Sequence, residues 1–274
     1  MEVQYSKMNQ LKENKTQEKK YQTLYIGLCA IFITNAIVAE MVGPKIFSLE
    51  TLLGIAPLQL EIIDSFVLDF NLTAGVVIWP VVFITTDIIN EYYGKEGVKK
   101  ISFITAGLIS YVFFVVLMVT DLPPAQFWLD LNNVDSQGNP FNIEEAFDKI
   151  FTQGLGIIIG SLTAFLIGQF LDAYTFQWLR RFTGSKQIWL RATGSTLFSQ
   201  LVDSFVVLGV AFYVFGNWSF EQVVAVGIIN YIYKFGIAVL MTPILYVAHY
   251  IIDAYLGKDY SEYVTDRASK TSLF

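Results

Sequence analysis

The sequence predicts an all-α membrane protein of six transmembrane helices with both termini in the cytoplasm. Composition, the spacing of apolar runs and the placement of basic residues carry that prediction. Hydrophobic residues make up 54% of the 274 and charged residues only 15%, against about 25% charged in an average soluble domain. The mean hydropathy is +0.50. A single soluble core could not cover so much apolar surface, whereas lipid can.

The first 20 residues are polar and mixed in charge. They lack the apolar core and small-residue cleavage site of a secretory signal and read as a disordered cytoplasmic tail. About 20 apolar residues cross a hydrocarbon layer roughly 30 Å thick. Runs of that kind fall at 21–39, 72–92, 101–120, 150–171, 192–218 and 223–252, so the transmembrane domain covers residues 21–255. The sixth run is too long for one upright crossing and is expected to tilt, start outside the membrane, or kink at Pro243, where an amide donor is missing. Residues 256–274 form a second cytoplasmic tail.

Outer loops are expected at 43–71 and 121–149. The first contains Ile46, Phe47, Leu49, Leu52 and Leu53 and is apolar enough to lie in the interface or re-enter. Glu61, Asp64 and Asp69 argue against a seventh crossing there. In the second, Asn142 followed by Glu145 resembles a capping box, which predicts a short surface helix from Ile143.

With an inner N-terminus, 15 of the 18 basic residues fall in inner segments. These are Lys7 to Lys20, Lys95 to Lys100, Arg180 to Arg191 and Lys258 to Lys270. Only Lys45 and Lys149 lie outside, and Lys234 lies within a span. That bias fixes the orientation and places a multi-pass chain in the cell membrane, the inner membrane of a bacterium.

One cysteine, Cys29, and one histidine, His249, weaken zinc and histidine-based catalysis together. No P-loop pattern is present for a nucleotide-driven pump. No metal, cofactor, catalytic residue or nucleic-acid partner is expected.

Ionisable groups inside a span are costly and mark sites by default. Trp79, Phe83, Asp87 and Glu91 recur every four residues and stack on one helical face beside Asn90. The competing reading is a carboxylate anchor at the inner headgroups. Arg191, Ser195, Ser199 and Asp203 form one file of the fifth span; Thr196, Gln200 and Ser204 form another. Asp203 lies about 18 Å of helix rise from the inner end, which is mid-membrane. Asn230 and Lys234 sit one turn apart in the sixth span. Asp203 is Lys234's natural partner by depth and Asp87 the second, and a purely structural ion pair is the alternative. Asn35 and Glu40 approach the outer side, where they either gate or emerge into water. His249 and Asp253 read as solvated at the inner end. A pocket of this kind suits a flat polar molecule, because aromatic faces stack on planar rings and carboxylates accept paired N–H donors such as a guanine edge.

Three segments carry a resemblance. The first is Asp87-Ile88-Ile89-Asn90-Glu91-Tyr92-Tyr93-Gly94-Lys95, closing a span that contains Trp79-Pro80. The second is Arg191, Ser195 and Ser199-Gln200-Leu201-Val202-Asp203-Ser204. The third is Tyr233-Lys234 followed by Thr242-Pro243-Ile244-Leu245-Tyr246. In this order, over residues 21–255, they resemble the queuosine-precursor transporters, a vitamin-uptake-type family of six-helix carriers. The resemblance implies import of 7-deazaguanine bases such as 7-cyano-7-deazaguanine for tRNA modification. It also implies an architecture related to the substrate-binding subunits of energy-coupling-factor importers.

Combined with the polar residues above, this gives an alternating-access mechanism at a midplane site. Asp203, or failing it Glu91, takes the donor edge of a purine-like base. Gln200 and Asn230 add contacts, Trp79 stacks and Lys234 balances charge. Two rivals stay open. One is a binding subunit that needs a separate energising ATPase module, with a homodimer as the other assembly. The second is an intramembrane aspartyl enzyme built on Asp87 and Asp203.

Overall fold

The computed structural model describes residues 2–43, 45–57, 59–63, 66–151, 155–183, 187–214 and 217–270. Asp64 and Lys186 lie outside these residues, as do the side chains of Lys7, Lys12, Glu61 and Arg191.

The chain opens with α1 (Glu2–Val42). The segment expected to be a disordered tail is therefore helical from Glu2, continuous with the first apolar run. The next segment holds strands, which the apolar pattern did not suggest. They are β1 (Ile46–Ser48), β2 (Leu60–Ile63), β3 (Phe66–Leu68) and β4 (Asn71–Thr73), with the short helix α2 (Leu49–Leu53) after β1. β1 pairs antiparallel with β4 and β2 with β3. Leu72, expected to begin the second span, instead faces Phe47 in β4 and is fully buried. The span starts at Trp79 with Pro80 in the first turn, where a missing amide donor costs nothing.

Helix α3 (Trp79–Thr120) is broken at Gly94, whose φ of 70° and ψ of −173° are not helical. It therefore comprises two helical segments, divided between the expected second and third spans. Short helices α4 (Gln126–Leu131) and α5 (Ile143–Phe151) follow. The Glu145 amide donates to Asn142 Oδ1 at 3.2 Å, the cap expected from the sequence.

Helix α6 (Leu155–Thr183) packs most extensively on α7 (Ile188–Leu208), which continues as a π-helical turn over Gly209–Val214. Helix α8 (Phe220–Leu256) opens with a reciprocal capping box between Ser219 and Gln222 and runs through Pro243 as one helix. The C-terminal residues form α9 (Lys258–Ser269), which lies mainly against α3.

Among the described residues, four helices are long and apolar enough to cross a membrane: Lys15–Val42, Trp79–Thr120, Ala192–Val214 and Phe220–Leu256. The core joins Phe32 and Ala36 of α1, Ile89, Tyr92 and Ile101 of α3, and Phe176 of α6. Large apolar side chains such as Phe103, Phe114, Leu240 and Val247 point outward, as lipid-facing positions must.

Candidate functional site

The site builds up from the end of the first α3 segment. A helix end leaves its last carbonyls without amide partners, and the break at Gly94 creates such an end inside the bundle. Side chains of other helices take those carbonyls. Gln177 donates to the Asn90 carbonyl at 2.8 Å and to Asn90 Oδ1 at 2.9 Å. Arg180 donates to the Glu91 carbonyl at 3.1 Å. The Tyr21 hydroxyl donates to the Tyr92 carbonyl at 2.8 Å. Asn90 returns a bond from Nδ2 to the Ala173 carbonyl at 3.2 Å. Arg180 also forms a buried ion pair with Glu91 at 3.1 Å, placing a cation at a helix C-terminus. Asn90 and Glu91 thus clamp α3 to α6.

Just past the break, Lys95 lies over the Tyr174 ring, 4.4 Å from its centroid. Below it the Tyr92 hydroxyl donates to Asp253 at 2.7 Å and lies 3.0 Å from His249 Nδ1. Ser261 of α9 also donates to Asp253. His249 is buried, not solvated as its position at the inner end suggested, and its ring stacks on Tyr92 with centroids 5.3 Å apart.

One turn before Asn90, Asp87 lines a cleft between α3, α7 and α8 and is the only carboxylate there among the described residues. Pro80, Phe83 and Ile84 form its α3 wall, Thr193 and Thr196 its α7 wall, and Met241 and Thr242 part of its α8 wall. The cleft encloses about 370 Å³ counting its open mouth, but the space in which a water's centre can move is about 30 Å³. That holds about two waters. Of the expected stripe, Phe83 and Asp87 line the cleft, whereas Trp79 and Glu91 do not. Trp79 stacks on Phe83 with centroids 5.9 Å apart and also meets Phe165 at 6.0 Å.

A second polar cluster lies further along α7. Lys234 donates to Asp203 at 2.5 Å, the partner that depth suggested. A Cβ on Gly168 would lie 3.5 Å from Asp203 Oδ1, so α6 and α8 enclose that carboxylate from both sides. Glu40 accepts from Ser161 of α6 and is near enough to Asp203 to feel its charge. It therefore sits at the edge of the Asp203 cluster. Asn35 donates to the Ile31 carbonyl of its own helix at 2.8 Å. Asn230 is half-buried on α8, one turn from Lys234. Gln200 is buried, with no hydrogen-bond partner for Oε1 among the described residues. Asp203, Lys234, Gln200 and Asn230 are not among the residues that line the cleft.

Three residues of α6 join the site without having been singled out from the sequence: Asp172, Gln177 and Arg180. Asp172 is buried and accepts a hydrogen bond from the Ser199 hydroxyl of α7 at 3.1 Å. Gln169, Asp172, Gln177 and Arg180 follow one polar stripe, and the last three lie beyond residue 171, where the fourth apolar run ends.

The family described as "Putative vitamin uptake transporter" matches residues 73–248. A probable queuosine precursor transporter of Bacillus subtilis (strain 168) is 31% identical over 186 residues, covering 67% of this chain and 75% of that protein. One of Haemophilus influenzae is 27% identical over 177 residues, with 63% and 66% covered. The queuosine precursor transporter of Escherichia coli (strain K12) is 28% identical over 178 residues, with 64% and 71% covered. No solved structure matches. With the apolar helices described above, these likenesses establish that the chain belongs to the queuosine precursor transporter family, multi-pass proteins of the bacterial cell membrane.

Proposed function

We propose that this protein imports 7-deazaguanine bases, the precursors of queuosine, by alternating access through six spans with both termini cytoplasmic. The six are α1, the two segments of α3, α6, α7 and α8. The observation that carries the reading is the cleft between α3, α7 and α8, with Asp87 in its wall and the Trp79–Phe83 pair on the same helix.

Asp87 takes the role that the sequence first offered to Asp203 and then to Glu91. Asp87 lines the cleft, and those two carboxylates do not. Asp87 accepts the N–H donors of the base edge, and Phe83, backed by Trp79, covers its ring. Thr193 and Thr196 supply hydroxyls from the facing helix. Because the cleft as it stands has room for waters only, loading requires α7 and α8 to part from α3. The intramembrane aspartyl enzyme is disfavoured, since Asp203 is held by Lys234 and does not line the cleft that Asp87 lines.

Uptake of 7-cyano-7-deazaguanine into proteoliposomes containing only this chain tests the reading. A hydrogen bond to a charged group contributes about 1.5–3 kcal/mol, so Asp87→Asn should lower apparent affinity by about ten- to hundredfold. Unchanged affinity in that variant removes Asp87 from the site. Wild-type protein that prefers no deazapurine over unrelated vitamins removes the substrate assignment.

A further inference from the structure

We infer that the C-terminal helix α9 is a latch on the cytoplasmic mouth of the cleft: it ties α1, α3 and α8 together at the Gly94 break and leaves α1 and α3 when a base is released inward. The inference rests on the import reading above and on its orientation. That orientation puts the start of α1, the turn at Gly94 and the end of α8 on the cytoplasmic side.

The turn into α9 is built by Gly257, whose φ of 84° and ψ of 136° are strained for a residue with a Cβ. The chain folds back there, and the Ser261 amide donates to the Gly257 carbonyl at 2.9 Å. Ser261, Val264 and Ala268 recur at helical spacing and are buried, and Val264 joins the core of the bundle. Tyr260 and Arg267 meet α1. The Tyr260 hydroxyl donates to Glu18 Oε2 at 2.7 Å, and its ring meets Tyr21 edge-on with centroids 6.2 Å apart. The Arg267 guanidinium lies 5.5 Å from the centroid of the Tyr21 ring.

From Tyr21 a closed circuit runs round the break. Its hydroxyl donates to the Tyr92 carbonyl at 2.8 Å, and the Tyr93 hydroxyl donates to the Tyr21 carbonyl at 2.7 Å. The Tyr92 hydroxyl crosses to α8, where it donates to Asp253 at 2.7 Å and lies 3.0 Å from His249 Nδ1. Asp253 accepts from Ser261, which returns the circuit to α9.

This circuit closes one end of the cleft. Asp87 precedes Tyr92 by five residues in the same helical segment, and Leu245 lines the cleft one turn before His249 and two before Asp253. The Tyr92 bonds therefore join the α3 wall to the α8 wall just beyond the cleft, and α8 cannot part from α3 at that end while they stand. Gly257 and the Ser261–Asp253 bond carry α9 along with α8. Inward opening thus breaks the Tyr92 bonds to α8 and takes Tyr260 and Arg267 off α1.

The test uses the full-length protein in a Cys29→Ala background. Ala238→Cys places a thiol in the α8 wall of the cleft, and its labelling rate by a membrane-impermeant maleimide is read in inside-out and right-side-out vesicles. Tyr92→Phe keeps the ring and removes the hydroxyl bonds to α8. A hydrogen bond to a charged group that exists only in the closed state biases the equilibrium by about tenfold. Labelling from the cytoplasmic face is expected to rise by about that factor, with no rise from the outer face. A general loosening of the bundle would raise both. The second arm bridges Glu18→Cys to Tyr260→Cys with a bifunctional thiol reagent that a reductant removes. Exchange of 7-cyano-7-deazaguanine in proteoliposomes is expected to stop on bridging and to return on reduction, while each single-cysteine variant keeps it. This arm decides the matter if Tyr92→Phe does not fold.

Labelling that rises on both faces, on the outer face alone or on neither overturns the proposal, as does full exchange by the bridged protein. If the wild type neither binds nor exchanges the base, the import reading itself has failed, and the asymmetry of labelling still decides the latch.

Discussion

Lys234 and Asp203 face each other at 2.5 Å with 18% and 17% of their side chains exposed, far from either end of their helices. A charge withdrawn from water is stabilised only by its partner, so removing one member is worse than removing both. Lys234→Ala should therefore cost about 3–5 kcal/mol, and adding Asp203→Asn should recover more than half of it. Thermal unfolding in detergent measures both; a double variant no more stable than the single one contradicts the buried-pair account. This pair was legible in the sequence because helical rise alone puts both residues near the midplane. The partner of Glu91 was not, since Arg180 lies in a different helix at a depth that apolar runs do not report. Asp172 escaped for the same reason, and only its hydrogen bond with Ser199 of α7 reveals it.

At the scale of elements, the segment from Asp87 to Lys95 combines two jobs. Its first half presents Asp87 to the cleft, and its second half ends a helix inside the bundle. Gly94 sits at φ 70° and ψ −173°, a region open almost only to glycine and costing other residues about 1–3 kcal/mol. Gly94→Ala should lose that much stability. Gly107→Ala, in the same helix with nothing within 4 Å of the added Cβ, should be neutral or gain up to about 1 kcal/mol. Thermal unfolding of the two variants side by side decides this, and equal effects would mean that the break does not depend on glycine. The sequence carried the glycine and the turn, but not the Gln177, Arg180 and Tyr21 side chains that take the freed carbonyls. The strands of residues 46–73 were hidden for a related reason. Their apolar side chains read as interfacial, and the β1–β4 pairing joins residues about two dozen positions apart.

For the whole molecule, 15 of the 18 basic residues fall in the segments expected to be inner, while the bundle exposes large apolar side chains. Moving several lysines and arginines to the far side of the membrane is costly, so both termini should stay inside. Cysteine labelling checks this in a Cys29→Ala background. A membrane-impermeant reagent should label Asp130→Cys in intact cells and Ser269→Cys only after permeabilisation; the reverse pattern would invert the assigned orientation. Helix α9 packs against α3, and Ser261 reaches Asp253 in the network that includes Tyr92 and His249. The C-terminal segment is therefore part of the folded unit.

By itself the sequence determined the solvent, the class and the family. Apolar run length, charge placement and the spacing of polar residues along single helices are local quantities, and burial in lipid makes each of them costly to violate. Only the tertiary structure decided which polar groups meet. Ion pairs, helix-end clamps and the Ser199–Asp172 hydrogen bond are contacts between helices, set by rotation and register that no single helix encodes. Asp87 in the cleft wall, Glu91 on Arg180 and Asp203 on Lys234 look alike along the chain; the packing of α3, α6, α7 and α8 gives each a different environment.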